Sequence, residues 1–306
     1  MQIYLPIAEM AVSAELIFFV SAFVGLISGI FGVGGGFLTT PFLIFTGIPP
    51  AIAVATQAAQ LVASSVAGSL AHLTRGNVDL KMGFMMALGG LVGSFVGIFI
   101  FKLLQYLGQI DLAISLLYIT LLGGIGSLML LESGFSFLNK KKENMRKAFN
   151  NTHISPFILA LPYKVRFPRS KLFISALVPA AIGFVGGLLA SILGIGGGFL
   201  IVPAMIYILG MPPLLVAGTA LFQVIFTTAS ATVMHAVLNN TVDIVLAIIL
   251  ILGGVIGAQV GVAVAKFVRG GSSRIILALI ILAVCLRLVI DLFVAPSNIF
   301  SMVKVG

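Results

Sequence analysis

The sequence predicts an all-α polytopic integral membrane protein. It is built from two inverted-topology repeats of about five apolar segments each, one segment per repeat being a short broken or re-entrant helix. Three observations carry this reading: the composition, an internal repeat, and the side on which basic residues fall. Of 306 residues, 60% are apolar and 8% charged, against about 25% charged in an average soluble domain. A water-soluble fold of this length cannot cover its surface with so few charges. The apolar residues come in blocks of about 18 to 25, long enough at about 1.5 Å per residue to cross a hydrocarbon core of about 30 Å.

Residues 1–15 hold Glu9 and Glu15 but no Lys or Arg. No small-residue cleavage site follows a short apolar run, so no removable signal peptide is expected. Cys285 is the only cysteine, which leaves no disulfide framework and no Cys-based metal cluster. The net charge of +9 is concentrated: nine of the seventeen Lys and Arg lie in the polar stretch 132–171. A basic cluster beside membrane spans is the mark of a cytoplasmic loop. It points to topology and the lipid bilayer, and away from nucleic acid.

Sliding the chain against itself exposes the repeat. Residues 25–41 read GLISGIFGVGGGFLTTP and residues 187–203 read GLLASILGIGGGFLIVP, with ten identities in seventeen positions at an offset of 162. After one inserted residue, Pro49 and Pro50 match Pro212 and Pro213, Thr56 matches Thr219, Gln60 matches Gln223 and His72 matches His235. After another, Asp79 matches Asp243 and Gly89 and Gly90 match Gly253 and Gly254. The domains expected are a first membrane repeat (1–131), a basic cytoplasmic linker (132–171) and a second membrane repeat (172–306).

The apolar pieces of the first repeat run 14–31, 36–47, 50–73, 81–101 and 111–131. Those of the second run 172–193, 198–210, 213–238, 243–265 and 274–293. The second piece of each is too short to span without tilt or thinning, and either crosses incompletely or re-enters. Each repeat then makes an odd number of crossings. Arg75 and Lys81 follow the third piece of the first repeat, where the second has no base, while Lys266, Arg269 and Arg274 follow the fourth piece of the second, where the first has only Lys102. Basic residues swap ends between the copies, as inverted topology requires. Both termini are expected outside and 132–171 inside, with Lys102 on the outer side as the exception.

Interrupted apolar segments at matching positions of inverted repeats point to a transport site near the midplane. The interruptions are Gly34, Gly35 and Gly36, and Gly196, Gly197 and Gly198. Glycines can leave helical geometry and expose N–H groups, and the helix restarting after them offers its positive end to an anion. The competing reading is a tight hairpin for close helix packing. Thr56, Gln60 and Ser64, and Thr219, Gln223 and Thr227, recur at i, i+4 and i+8, which sets each trio on one helical face. Gln60 lies about 15 Å along its helix from Pro50, near mid-bilayer. Neutral donors at that depth can bind an anion without a buried fixed charge. They can equally be interhelical glue.

His72 and His235 are candidates for proton coupling, or satisfied interfacial residues. Asp79 and Asp243 directly precede apolar runs, where an N-cap is the simplest role and a coupling acid the alternative. Arg287 and Asp291 are an i, i+4 pair that neutralises itself. No HExxH, paired mid-depth carboxylates or Ser-His-Asp set is present, so neither catalysis nor a cofactor or metal is expected.

The doubled GxGGGF followed by a proline, GTALFQ with His235 twelve residues beyond Gln223, and LPYKVRFPRS ahead of the second repeat resemble the sulfite exporter TauE/SafE family of membrane permeases. The resemblance covers nearly the whole chain. It implies a prokaryote-type inner-membrane permease for sulfite, sulfonates, thiosulfate or other small sulfur-containing or organic anions, with proton coupling in some members. It carries over to 34–36, 196–198, Gln60 and Gln223. The first copy reads ATQAAQ where the second reads GTALFQ, so the two halves need not contribute equally. The function expected is a secondary transporter exporting small anions by alternating access. An anion channel and a non-transporting scaffold or sensor are the alternatives, and a homo-oligomer is compatible with all three.

Overall fold

The computed structural model describes residues 2–31, 36–138, 162–264 and 271–293. The chain opens with a hairpin of β1 (Gln2–Leu5) and β2 (Met10–Ser13), followed by α1 (Ala14–Phe31), α2 (Gly36–Phe45), α3 (Pro50–Thr74), α4 (Leu80–Tyr106) and α5 (Ile110–Leu138). The second half repeats the order: β3 (Lys164–Phe167), β4 (Leu172–Ser175), α6 (Leu177–Leu193), α7 (Gly198–Tyr207), α8 (Pro213–Met234), α9 (Ile244–Val264) and α10 (Gly271–Phe293). Among the described residues six helices, three from each half, are long and apolar enough to cross a membrane. The protein is thus an all-α polytopic membrane protein with two small antiparallel hairpins.

Local chemistry sets the helix ends. α3 and α8 each start on a Pro-Pro pair whose second proline occupies the first turn, where its missing N–H costs nothing. Asp79 caps α4 by accepting from Met82 N–H, and Asp243 caps α9 by accepting from Leu246 N–H, each at 3.1 Å. The residue inserted between His235 and Asp243 is absorbed as one π-helical turn, His235–Asn239, closed by Asn240 in left-handed conformation. A π turn is what one extra residue in a helix produces.

The hairpins correct the sequence expectation at two places. Residues 172–175, expected to open the first apolar helix of the second half, form strand β4, and the N-terminal hairpin was not expected at all. Within 132–171, α5 continues to Leu138 and β3 begins at Lys164. The basic residues from Lys140 to Lys147, and Lys266 and Arg269, lie outside the described residues.

Two buried clusters, made from matching positions apart from Ile17 and Ile182, mark the ends of the bundle. One gathers Leu5, Val12, Ile17, Leu43, Ile48, Ala53, Leu246 and Leu250. The other gathers Phe167, Ile174, Ile182, Met205, Met211, Val216, Met82 and Met86. In each, the start of the repeat's first helix lies beside the end of its short second helix and the start of its third. α1–α2 and α6–α7 therefore enter the bundle and return to the end they came from, which answers whether the short segments cross.

Packing between the halves is reciprocal. α4 lies along α6 and α1 along α9, while α3 packs on α8 and α5 on α10. Both close seams are glycine-lined. A methyl group on Gly89, Gly93 or Gly187 would lie within 2.0 Å of the carbonyl oxygen of Ala180, Phe184 or Gly90, respectively, and one on Gly257 would lie 2.0 Å from that of Ala22. Residue numbers rise together along these contacts, so the seams are parallel and have the small-xxx-small spacing that lets membrane helices touch backbone to backbone. α3 and α8 cross in the opposite sense, with His72 and Asn77 near the end of α3 against Gly218 near the start of α8.

Candidate functional site

The second chain break meets the start of α2 inside the bundle. α6 stops at Gly194, and Gly194, Gly196 and Gly197 all take left-handed backbone at φ 67°, 71° and 69°, a conformation that penalises any Cβ. α7 restarts at Gly198, and its first i→i−4 bond runs from Ile201 N–H to Gly197 O at 2.8 Å. Leu200 N–H also bonds Gly197 O, at 3.0 Å, and the N–H groups of Gly198 and Phe199 precede the first helical carbonyl, at the positive end of the helix. In the first repeat α2 restarts at Gly36, with Gly34 and Gly35 outside the described residues. Gly36 presses on the other break: a methyl there would lie 3.0 Å from Gly194 O and 3.1 Å from Ile195 O. Leu61 closes over both, its Cδ1 facing Gly36 and Gly196.

Gln60 and Gln223 are buried and reciprocally placed, each against a glycine of the opposite half: the Gln60 amide nitrogen faces Gly254 and that of Gln223 faces Gly90. Their environments differ. Gln60 Nε2 donates to Ser21 Oγ at 3.2 Å, and Ser21 Oγ donates to Leu250 O at 2.7 Å. The position matching Ser21 is Gly183, so Gln223 has no such anchor. Among the described residues neither Gln223 amide atom, nor Gln60 Oε1, has a hydrogen-bond partner. Gln223 also approaches Gly186, which backs Gly197, so its free carboxamide lies beside the second break. Buried amides are almost always paired, so a buried amide with no partner among the described residues is an exception.

The hydroxyls of the expected polar stripes go elsewhere. Thr219 Oγ1 accepts from Asp79 N–H at 2.9 Å and Thr56 Oγ1 accepts from Asp243 N–H at 3.1 Å, so each holds the helix start of the opposite half. Ser64 donates to Gln60 O and Leu61 O, and Thr227 to Val224 O, within their own helices. The second carboxylate oxygen of Asp79 accepts from the backbone N–H (3.0 Å) and hydroxyl of Ser170 in the β3–β4 turn, and that of Asp243 accepts from Ile7 N–H in the β1–β2 turn at 3.0 Å. Each cap thus also latches the other repeat's hairpin.

His235 is fully buried, edge-on to Phe101, with Nε2 2.8 Å from Ser191 O and Nδ1 3.1 Å from Asn239 Nδ2. A carbonyl can only accept and an amide nitrogen can only donate, so the contacts select the neutral ring protonated on Nε2. His72 lies at the far end of α3, half-buried, with Nδ1 unpartnered among the described residues. Arg287 and Asp291 pair at 3.7 Å, and Arg287 also lies over the ring of Phe45. Sequence analysis does not single out Ser21 or Gln57. For Gln57 the available signal was a second Gln in ATQAAQ with no counterpart in GTALFQ.

A polytopic bundle with paired re-entrant breaks and bare amides between them is the architecture of a membrane transporter. The chain matches the family "Sulfite exporter TauE/SafE" over residues 17–288 and belongs to it. It is 25% identical to "Probable membrane transporter protein YunE" of Bacillus subtilis over 276 residues, which cover 87% of this chain and 94% of that one. It is 29% identical to a "Probable membrane transporter protein" of Xylella fastidiosa over 272 residues, 87% and 91% of the two chains. A shorter match, 38% over 74 residues, covers 24% of this chain and 16% of "Sulfite exporter TauE/SafE family protein 5" of Arabidopsis thaliana. No solved structure matches it with significance.

Proposed function

We propose that the chain is a secondary carrier that exports small oxyanions, such as sulfite, thiosulfate or sulfonates, by alternating access. The observation that carries this reading is the contact of Gly36, at the start of α2, with the second glycine break, beside the carboxamide of Gln223, which has no hydrogen-bond partner among the described residues. N–H groups at the start of α7 and the neutral amides of Gln223 and Gln60 supply donors for negative oxygens without a fixed positive charge that would hold the anion too tightly to release it. Thr56, Thr219, Ser64 and Thr227 act as the frame around that site. The two halves serve as inverted copies that rock about it, a reading supported by the reciprocal seams and the antiparallel crossing of α3 and α8.

Orientation follows charge. Arg75, Lys81, Lys164, Arg166, Arg169 and Lys171 all belong to the turn or hairpin at one end of the bundle, and Glu9, Glu15 and Asp243 to the other. We read the basic end as the cytoplasmic one under the positive-inside rule, with both termini outside, and the membrane as a prokaryotic inner membrane. Proton coupling, if used, falls to His72 in preference to His235, whose two ring nitrogens are already engaged.

The test is flux in proteoliposomes across sulfite, thiosulfate, methanesulfonate and acetate, with and without a pH gradient. Trans-stimulated exchange of at least one oxyanion is expected. A purely passive current without exchange identifies a channel, and no flux of any anion identifies a scaffold.

A further inference from the structure

One buried polar side chain on α3 is not accounted for by the repeat. Gln57 is fully buried on α3, and neither its Oε1 nor its Nε2 has a hydrogen-bond partner among the described residues. Its place on the helix is fixed by its neighbours. Val54, one turn earlier, has its carbonyl oxygen and Cα against Gly194, while Leu61, one turn later, reaches Gly36 and Gly196. At about 100° per residue these two share one side of α3, with Gln57 beside them and Gln60 next around toward the α1–α9 seam. Gln57 therefore belongs to the arc of α3 that covers the joined breaks.

The matching position in the second repeat is Ala220, which packs among Met82, Met86 and Val216 at the bundle end. Only one half carries this amide. A bare amide that merely filled space would be replaced at no loss by an apolar side chain of the same size. An amide with no hydrogen-bond partner among the described residues, beside the positive end of α7, is placed for a ligand instead.

We infer that Gln57 is an anion-contacting residue, its carboxamide N–H donating to an oxygen of the bound oxyanion at the joined breaks, so that the site is asymmetric although the fold is two-fold. Gln57 and Gln223 then clasp the anion from α3 and α8, and Gln60, anchored on Ser21, plays the lesser part. This rests on the proposed anion transport. The class of ligand is a small anion with at least two acceptor oxygens, as in sulfite, thiosulfate or a sulfonate.

The experiment compares the full chain with Gln57→Leu and Gln57→Ala in proteoliposomes, using sulfite, thiosulfate and methanesulfonate as probes, and follows thermal unfolding of the same preparations in detergent. Loss of one hydrogen bond to a charged group is expected to raise KM about tenfold or more, with kcat changed far less. The unfolding midpoint should stay level or rise in Gln57→Leu, because an unpaired buried amide has been removed. A KM within about twofold of the parent, or a lowered midpoint with KM unchanged, makes Gln57 a packing residue and overturns the assignment, as does failure of both variants to give folded protein. If the parent chain moves none of the probes, the proposed function falls and this inference with it. Transport by the parent with indifferent variants sinks this inference alone.

Discussion

The hydroxyl of Thr56 accepts a hydrogen bond from the backbone N–H of Asp243 at 3.1 Å, across 187 residues of chain. Its repeat partner Thr219 does the same for Asp79 at 2.9 Å. Each half thereby satisfies a buried donor just ahead of a helix in the other. Thr56→Val and Thr219→Val each leave that N–H unpaired at nearly constant volume. Each should cost about 1–3 kcal/mol of stability, seen as a lower unfolding midpoint, while KM of the folded transporter stays within about twofold. A large rise in KM without loss of stability would place these hydroxyls in the binding site after all.

The latch made by Asp79 adds the hairpin to the same connection. Asp79→Ala removes a helix cap and the acceptor for Ser170 together. The expected loss is about 2 kcal/mol or more, since a cap alone contributes about 1 kcal/mol. Hydrogen exchange should report it locally: the Ser170 amide gains exchange before the amides of mid-α4 do. Equal protection of Ser170 in parent and variant would contradict the latch.

Glycine matters at the seams by contact, not by composition. A methyl on Gly93 would lie 2.0 Å from Phe184 O, whereas one on Gly124 in α5 meets nothing within 4 Å. Gly93→Ala should destabilise by about 1–3 kcal/mol or prevent folding, because backbone faces it and cannot yield. Gly124→Ala should be neutral or add up to about 1 kcal/mol through helix propensity. Paired melting curves decide it, and the same loss from both would remove the argument for backbone contact along α4 and α6.

The two matched glutamines of the repeat, Gln60 and Gln223, should separate experimentally. Gln223→Leu deletes two amide atoms that have no partner among the described residues and should weaken anion binding about tenfold without lowering the unfolding midpoint. Gln60→Leu also leaves the Ser21 hydroxyl without its donor, so it should lower the midpoint by a measurable amount. Full transport by the double variant would remove both amides from the site.

Composition and the doubled glycine motif already determined that this chain lives in lipid, that it uses one unit twice, and that each unit is interrupted at the same point. Those properties are local, because apolar run length, glycine spacing and the charge of turns are written in consecutive residues. The hairpins were hidden because strands of four residues carry too little pattern, and the apolar 172–175 merges with the block behind it. The insertion before Asp243 was visible as a shift in the repeat, but not as the π turn that locks His235 between Ser191 and Asn239.

Only the tertiary structure decided which polar groups are spoken for. Thr56, Ser64, Gln57 and Gln60 lie within nine positions on one helix, and nothing in their spacing tells a cap from a free amide. Whether Ser21 or Gly183 stands opposite depends on residues about forty positions away, and whether Gly36 reaches Gly194 on residues 158 positions apart, brought together by the packing of the helices. Inside a bundle a hydrogen-bonding group keeps its ligand-binding capacity only where packing supplies it no protein partner, and packing is a property of the whole fold.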